Sequence, residues 1–402
     1  MNYKYRLHKR LLLFILILLY FFQVNILQAL EIDSGLIKYL LLSIFLFFVI
    51  LFKPSFQKNK IEYSILFISI TLVFVRKFLG MFEETVQTLM NVLLPALLLL
   101  LFRNYDAVVD KKYSIESIKK VFINLVLLNS CIAILEFILR IHLIGWHETA
   151  YNDGNVVIYD KFSSFRSVAL FGSPLSNALI TTILNAFILF SNIKEKRKYI
   201  IFFIGCIAVL CFNARTAFFM NAFVLFMYIL KNYKTYNWAY KIGIIFGLSV
   251  IVIGFIILIT YTNLGSRIID TSEGDSSIMT RLILFEGFMS LNLNDYLLGS
   301  TMDDVRYFMD DIRVAVIENF WIAYILHFGV IAVILFTYLY IKLAKQLLLS
   351  YPMFDKIVIS SSFIILASTN NSLYSSYIPL FTFLLCAFVF RPYQLNDRLN
   401  RR

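Results

Sequence analysis

Three arginines and one glutamate have the types and neighbours needed to handle a charged substrate. Arg166 lies in Phe165-Arg166-Ser167-Val168-Ala169-Leu170-Phe171-Gly172-Ser173-Pro174. Arg215 lies in Asn213-Ala214-Arg215-Thr216-Ala217, and Arg281 lies in a segment with helical apolar spacing. Glu318 directly precedes Asn319-Phe320-Trp321, the start of an apolar run. A guanidinium presents a planar fork of donors, bonds phosphate oxygens bidentately and never deprotonates, which suits a diphosphate. A carboxylate at the mouth of an apolar helix is partly desolvated, which suits a general base. Arg215, Arg281 and Glu318 are therefore the candidate catalytic residues. Arg166, Asn319 and Asp303 are candidate substrate contacts.

Each also has a purely structural reading. Arg166 alternatively snorkels as an interfacial anchor. Arg215 sits in so short a turn that its charge lies at or below the headgroups, where a structural role is costlier to support. Arg281 alternatively pairs with Glu286 or with an aspartate of its own segment. Glu318 alternatively serves a helix N-terminus through the dipole, with Asn319 as the N-cap. Asp303 and Asp304 follow Ser300-Thr301, so a cap-and-dipole role competes with substrate contact. His327, inside an apolar run, reads as a packed polar residue able to hydrogen-bond across helices. His142 and His147 are five apart in a loop, not at i,i+4 on a helix, so no metal is expected. The chain has no Gly-rich phosphate loop, Gly-x-Ser-x-Gly or His-Glu-x-x-His, and no cofactor is expected.

The elements that carry these residues follow from the apolar pattern. The chain of 402 residues is 60% hydrophobic, above the roughly half of ordinary soluble domains. The excess falls in repeated runs near bilayer-spanning length, which predicts an all-α, polytopic integral membrane protein. Twelve runs are legible: 11–27, 36–52, 61–79, 85–102, 121–141, 168–192, 199–213, 214–230, 242–261, 319–341, 357–370 and 376–390. The last two are short and share the polar centre Ser368-Thr369-Asn370-Asn371-Ser372, so a re-entrant hairpin is an alternative there. The basic start followed by Leu11–Leu27 lacks a small-residue cleavage site and reads as an uncleaved first span. A single integral domain, 1–402, is expected, with no soluble module at either end. Cys131, Cys206, Cys211 and Cys386 all fall in apolar runs and read as buried thiols.

Charge orients the runs. With the N-terminus inside, the alternate segments hold 26 of the 37 Lys and Arg, which places both termini in the cytoplasm. The formal charge of +12 is thereby explained by topology rather than by nucleic acid. Residues 262–318 form the one long polar stretch, with ten Asp and Glu against four Arg, and fall outside. Ile278, Met279, Leu282, Phe285 and Met289 recur there at helical spacing. After a break at Asn292–Asn294 and a turn at Gly299-Ser300-Thr301, Met302, Val305, Phe308, Met309 and Ile312 recur likewise. Two amphipathic helices within a large extracytoplasmic loop are expected.

This layout resembles the family of Wzy-type O-antigen and capsule polymerases and the O-antigen ligases. The resemblance rests on about twelve spans, a large outer loop before the last spans, Arg166 near Phe171-Gly172-Ser173-Pro174, the pair Arg215-Thr216, and Arg281-Leu282-Ile283-Leu284-Phe285-Glu286 running to Leu298-Gly299. Family ligases carry His-Asn/Ser/Gln, nine residues, then Gly at the end of the loop. Here Glu318-Asn319 keeps the spacing to Gly329 but replaces the His, which is more similar to the polymerases.

The resemblance implies metal-independent, inverting glycosyl transfer from a polyprenyl-diphosphate-linked glycan on the outer face of a bacterial inner membrane. It implies Arg215 and Arg281 on the diphosphate, Arg166 as a further contact, and Glu318 as base or acceptor-orienting group. Besides the glycan substrate and the lipid bilayer, its partners would be a chain-length regulator and a flippase of the same pathway. A ligase and a lipid-linked oligosaccharide flippase stand as alternatives. Transporters tend to show internal repeats and broken helices with mid-membrane charges, whereas here the halves are not visibly similar and most charges fall on one side.

Overall fold

The computed structural model describes residues 10, 13–19, 34–52, 59–78, 82–104, 111–143, 165–171, 173–233, 237, 238, 241, 276–314 and 317–392. Among the described residues all regular structure is helical. The helices are α1 (Ser34–Phe52), α2 (Lys60–Phe78), α3 (Phe82–Asn104), α4 (Lys111–Leu139), α5 (Pro174–Leu189), α6 (Glu195–Cys211) and α7 (Arg215–Asn232). There follow α8 (Ser276–Met289), α9 (Leu293–Leu298), α10 (Met302–Asp311), α11 (Phe320–Leu347), α12 (Met353–Ser368), α13 (Ser372–Ser375) and α14 (Ile378–Val389). The run 242–261 and most of 11–27 and 262–275 lie outside the described residues, as do His147 and Gly172.

Among the described residues two helices are long and apolar enough to cross a membrane, Ile115–Leu139 and Phe320–Ser350. Shorter apolar helices occupy Leu40–Val49, Leu89–Arg103, Pro174–Leu189 and Ile378–Val389. Two of the expected spans differ from continuous helices for identifiable reasons. The run 168–192 becomes helical only at Pro174. Ser173 is the N-cap and accepts from Ser176 N, and proline takes the first helical position, where its missing N–H costs nothing. The run 319–341 is interrupted at Gly329, which has φ 78° and ψ 156°. The polar centre 368–372 separates α12 from α14 and holds the short α13.

The chain divides into two compact units, a boundary that the apolar pattern does not reveal. One comprises Met1–Ile123, Gly274–Tyr351 and Ala367–Arg402, the other Asn124–Glu273 and Pro352–Leu366. The first is built around α3, in which every residue from Leu89 to Phe102 is buried. Pro95 within α3 removes a donor and crowds the preceding turn. The phenol of Tyr340 donates to the nearby Val92 carbonyl. Arg103 meets the buried Glu62 at 2.6 Å, tying the end of α3 to the start of α2. In the second unit α5 is buried on all sides except at Leu175. Asn185 donates to Asn221 Oδ1 at 2.7 Å, and Asn221 donates to Thr182 Oγ1 at 2.7 Å, which links α5 and α7 inside the core.

The two helices expected within 262–318 form, with α9 added between them. Val305, Phe308, Met309 and Ile312 of α10 turn inward as their spacing predicts. On α8 the inward face is Leu284 and Phe288. Of the stripe expected from spacing, Leu282, Phe285 and Met289 are exposed, and the side chains of Ile278 and Met279 lie outside the described ones. The helix carries apolar residues around its whole girth, so spacing alone selects the wrong face. Cys206, Cys211 and Cys386 are half-buried or buried, whereas Cys131 is exposed, against expectation.

Candidate functional site

In the first unit the structure brings Arg281 and Glu318 together. Arg281 lies one turn before Leu284, whose side chain is buried with Val305, Ile317, Ile322 and Leu326. Glu318 follows Ile317 of the same cluster and precedes the cap of α11. Arg281 Nη2 lies 3.2 Å from Glu318 Oε2 and 3.4 Å from the Thr369 carbonyl. Both charged side chains stay open, Arg281 at 42% exposure and Glu318 at 32%. Trp321 Nε1 donates to Ser368 Oγ at 3.0 Å, which pins the turn holding Thr369 against α11. The acidic partner of Arg281 is thus 37 residues away, not the Glu286 one turn along its own helix.

Of the other two candidates in this unit, Asn319 is a helix cap and Asp303 is not. Asn319 Oδ1 accepts from Trp321 N at 2.9 Å and Ile322 N at 3.3 Å, so that oxygen is engaged as the N-cap of α11. Asp303 is exposed and lies 3.6 Å from Arg306. The cap of α10 is a reciprocal box between Thr301 and Asp304.

Below this surface lies a feature not anticipated from the residues. Buried Arg76, near the end of α2, donates to Leu298 O at 2.8 Å and Ser300 O at 3.0 Å. Ser300 N donates to Leu326 O at 2.6 Å. The turn between α9 and α10 therefore docks on the break in α11. Gly299 and Gly329 face each other there, at φ 80° and 78°. A Cβ on Gly329 would lie 2.2 Å from Leu297 O, and one on Gly299 would lie 2.8 Å from Gly329 N. Arg76 supplies positive charge where the first half of α11 ends, which matches the dipole of that half-helix. His327 Nε2 meets Tyr374 Oη at 2.6 Å, the cross-helix hydrogen bond expected of it.

In the second unit Arg166 and Arg215 share one turn. Arg166 Nε donates to Phe212 O at 3.1 Å, and Arg215 opens α7 three residues later. Asn213 between them has a positive φ of 52°. The chain beside Arg166, residues 167–171, is fully buried without being helical. Buried backbone must find partners, and here side chains supply them. Glu136 Oε2 accepts from Val168 N and Ala169 N at 2.8 and 2.9 Å, and its Oε1 accepts from Leu143 N at 3.1 Å. Asn129 accepts from Leu170 N at 2.9 Å. Asn177 accepts from Phe171 N and donates to Val168 O. Ser167 N donates to Cys211 O, and its hydroxyl donates to Ala133 O. Ala169 is held at φ 45°, a conformation that a side chain disfavours and that these bonds over-determine.

No protein-family model, no curated protein and no solved structure matches this chain. Its geometry must therefore speak for its chemistry. Among the described residues no three His, Cys, Asp or Glu side chains cluster in a way that would hold a metal ion. Sequence inspection overlooked Glu136, Asn129 and Arg76. Each is a polar residue inside an apolar run, and that placement was the detectable signal.

Proposed function

We propose that the chain is a membrane glycosyltransferase that polymerises polyprenyl-diphosphate-linked oligosaccharide repeat units into a surface polysaccharide. In this proposal it spans a bacterial cytoplasmic membrane about twelve times, with both termini inside and residues 262–318 outside. The observation that carries it is the accessible Arg281–Glu318 pair, a phosphate-binding group beside a proton acceptor. The motif order that resembles the polymerases adds support. So do the polar side chains spent on buried irregular backbone, as a bilayer setting demands.

The chemistry is a displacement at an anomeric carbon. The bond from that carbon to the diphosphate oxygen breaks, and its electron pair leaves with the diphosphate. An acceptor sugar hydroxyl oxygen forms the new bond from the opposite face, and its proton passes to Glu318. Arg281 is assigned to the charge gathering on the diphosphate. Guanidiniums aimed at developing charge lower the barrier as a metal would.

A transporter of lipid-linked oligosaccharide is the second reading. The break in α11 beside the buried Arg76 favours it. Deletion of the chain in its native cell separates the two. A polymerase deletion leaves single repeat units on the anchor at the outer face. Subunits stranded on the cytoplasmic face would refute polymerisation and support transport. A ligase deletion would instead leave long chains still on the lipid carrier.

A further inference from the structure

We propose that Glu318 is the resident occupant of the anion site at Arg281, and that the donor diphosphate displaces it and thereby frees it as the base. This proposal rests on the glycosyl-transfer reading above and adds an order of events to it.

The geometry of the pair is that of an exchangeable contact. One guanidinium nitrogen meets one carboxylate oxygen, at 3.2 Å, without the two parallel bonds of a bidentate pair. Both groups reach solvent, so the attraction is screened and weak. A diphosphate brings more charge and several oxygens, and engages the guanidinium as a fork. Backbone carbonyls such as Thr369 O, 3.4 Å from the same nitrogen, cannot neutralise Arg281 in its place.

The residues on either side of Glu318 are anchored. Ile317 before it is buried in the cluster with Leu284 and Leu326. Asn319 after it caps α11. The backbone on either side is therefore fixed, and in the proposed exchange the carboxylate moves from the guanidinium to the acceptor hydroxyl. While its oxygen is engaged by the guanidinium, the carboxylate is not placed to take the acceptor's proton. Released, it accepts the proton of the acceptor hydroxyl as that oxygen bonds to the anomeric carbon and the diphosphate departs with its electron pair. Competence as a base thus depends on donor occupancy, and the acceptor is not activated before the donor is seated.

The test is a binding measurement on detergent-purified full-length protein with inorganic pyrophosphate and with geranyl diphosphate as probes. Glu318→Gln removes the internal competitor and keeps the shape. It is expected to bind both probes more tightly, by up to about fivefold, as suits an exposed pair. Arg281→Ala is expected to lose that binding, and Glu318→Gln added to it to recover none. Unchanged or weaker binding by Glu318→Gln would overturn the proposal. Phosphatidylglycerol vesicles competing as well as pyrophosphate would overturn it too, by making the site a lipid-headgroup contact. The outcome is separable from the fate of the polymerase reading. Tighter binding in Glu318→Gln alongside unaltered polysaccharide in cells carrying it would keep the exchange and refute Glu318 as the base.

Discussion

Replacing Gly329 with alanine tests the docking of the turn between α9 and α10 on the broken helix. The new Cβ would sit 2.2 Å from Leu297 O, 2.6 Å from Leu297 C and 2.8 Å from Leu298 C. All three are backbone atoms, so no side-chain rotation relieves the clash. The α9 backbone is itself tethered. Arg76 holds Leu298 O, and Ser300 N holds Leu326 O. The residue also sits at φ 78° and ψ 156°, a region that is close to glycine-only and costs about 1–3 kcal/mol for other residues. Overpacking adds about 1–3 kcal/mol. The lower entropy of an unfolded alanine returns about 0.4–1 kcal/mol. The net is a loss of about 3 kcal/mol.

Gly287→Ala is the matched control. Its Cβ would meet Ile312 Cγ2 at 2.7 Å and the Phe308 ring at 3.2 Å, both side chains at the edge of their cluster. Alanine also favours a helix by roughly 0.5–1 kcal/mol. The assay is thermal unfolding of purified protein in detergent. At roughly 2 °C per kcal/mol for a large chain, Gly329→Ala should lower the midpoint by about 6 °C, and Gly287→Ala should stay near the parent. Equal midpoints for Gly329→Ala and the parent would refute the docking of α9 on the break.

Two further outcomes follow from buried charges. Glu136→Gln puts an amide NH₂ where a carboxylate oxygen accepts backbone N–H groups, so at least one of Leu143, Val168 and Ala169 loses its acceptor in either amide orientation. A loss of about 1–3 kcal/mol per orphaned group is expected, read as a lowered unfolding midpoint, and a Gln variant as stable as the parent would show that the segment does not depend on that carboxylate. Asp355, just before the 357–370 run, is buried, and burial raises its carboxyl above the ordinary 3.8 while the hydrogen bond from Lys231 opposes that rise. The folded state then binds the proton more tightly than the unfolded state, so this group's contribution to stability falls as pH climbs from about 3.8 through the raised value, and is level above it. Lys231→Met removes the opposing influence and widens that window. Its stability deficit, measured from about pH 4 to pH 8, should grow with pH, and a constant deficit would exclude the ion pair as its cause.

Local chemistry made part of this legible from residues alone. The stripe of α10 and the Asn319 cap are set within a few positions of chain, and both stand where spacing puts them. The same is true of the His327 hydrogen bond in kind, though not of its partner Tyr374, which is 47 residues away. What stayed hidden depends on residues distant in sequence. Val168-Ala169-Leu170-Phe171 reads as the opening turn of an apolar helix. It is irregular because Glu136 and Asn129, more than thirty residues earlier, offer its N–H groups a better partner than a helix does. Arg281 had carboxylates near it on its own segment, and tertiary packing gave it Glu318 instead.

The two irregular segments share a logic that bears on how charges in such a chain are read. A charge within an apolar run invites assignment to substrate, because it is costly there. Arg76 and Glu136 show another use. Each is buried and is spent on backbone, Arg76 on two carbonyls and Glu136 on three N–H groups. In each case the backbone so held lies beside residues with functional promise. The Arg76 turn docks on α11, whose first residue follows Glu318 by two, and the Glu136 segment begins one residue after Arg166. Arg76 and Glu136 are thus better described as positioning residues than as contacts. Arg281 and Glu318 differ from them in staying open to solvent, with a single, exchangeable contact between them. Exposure, rather than depth in an apolar run, is what separates this pair from the charges held for the fold.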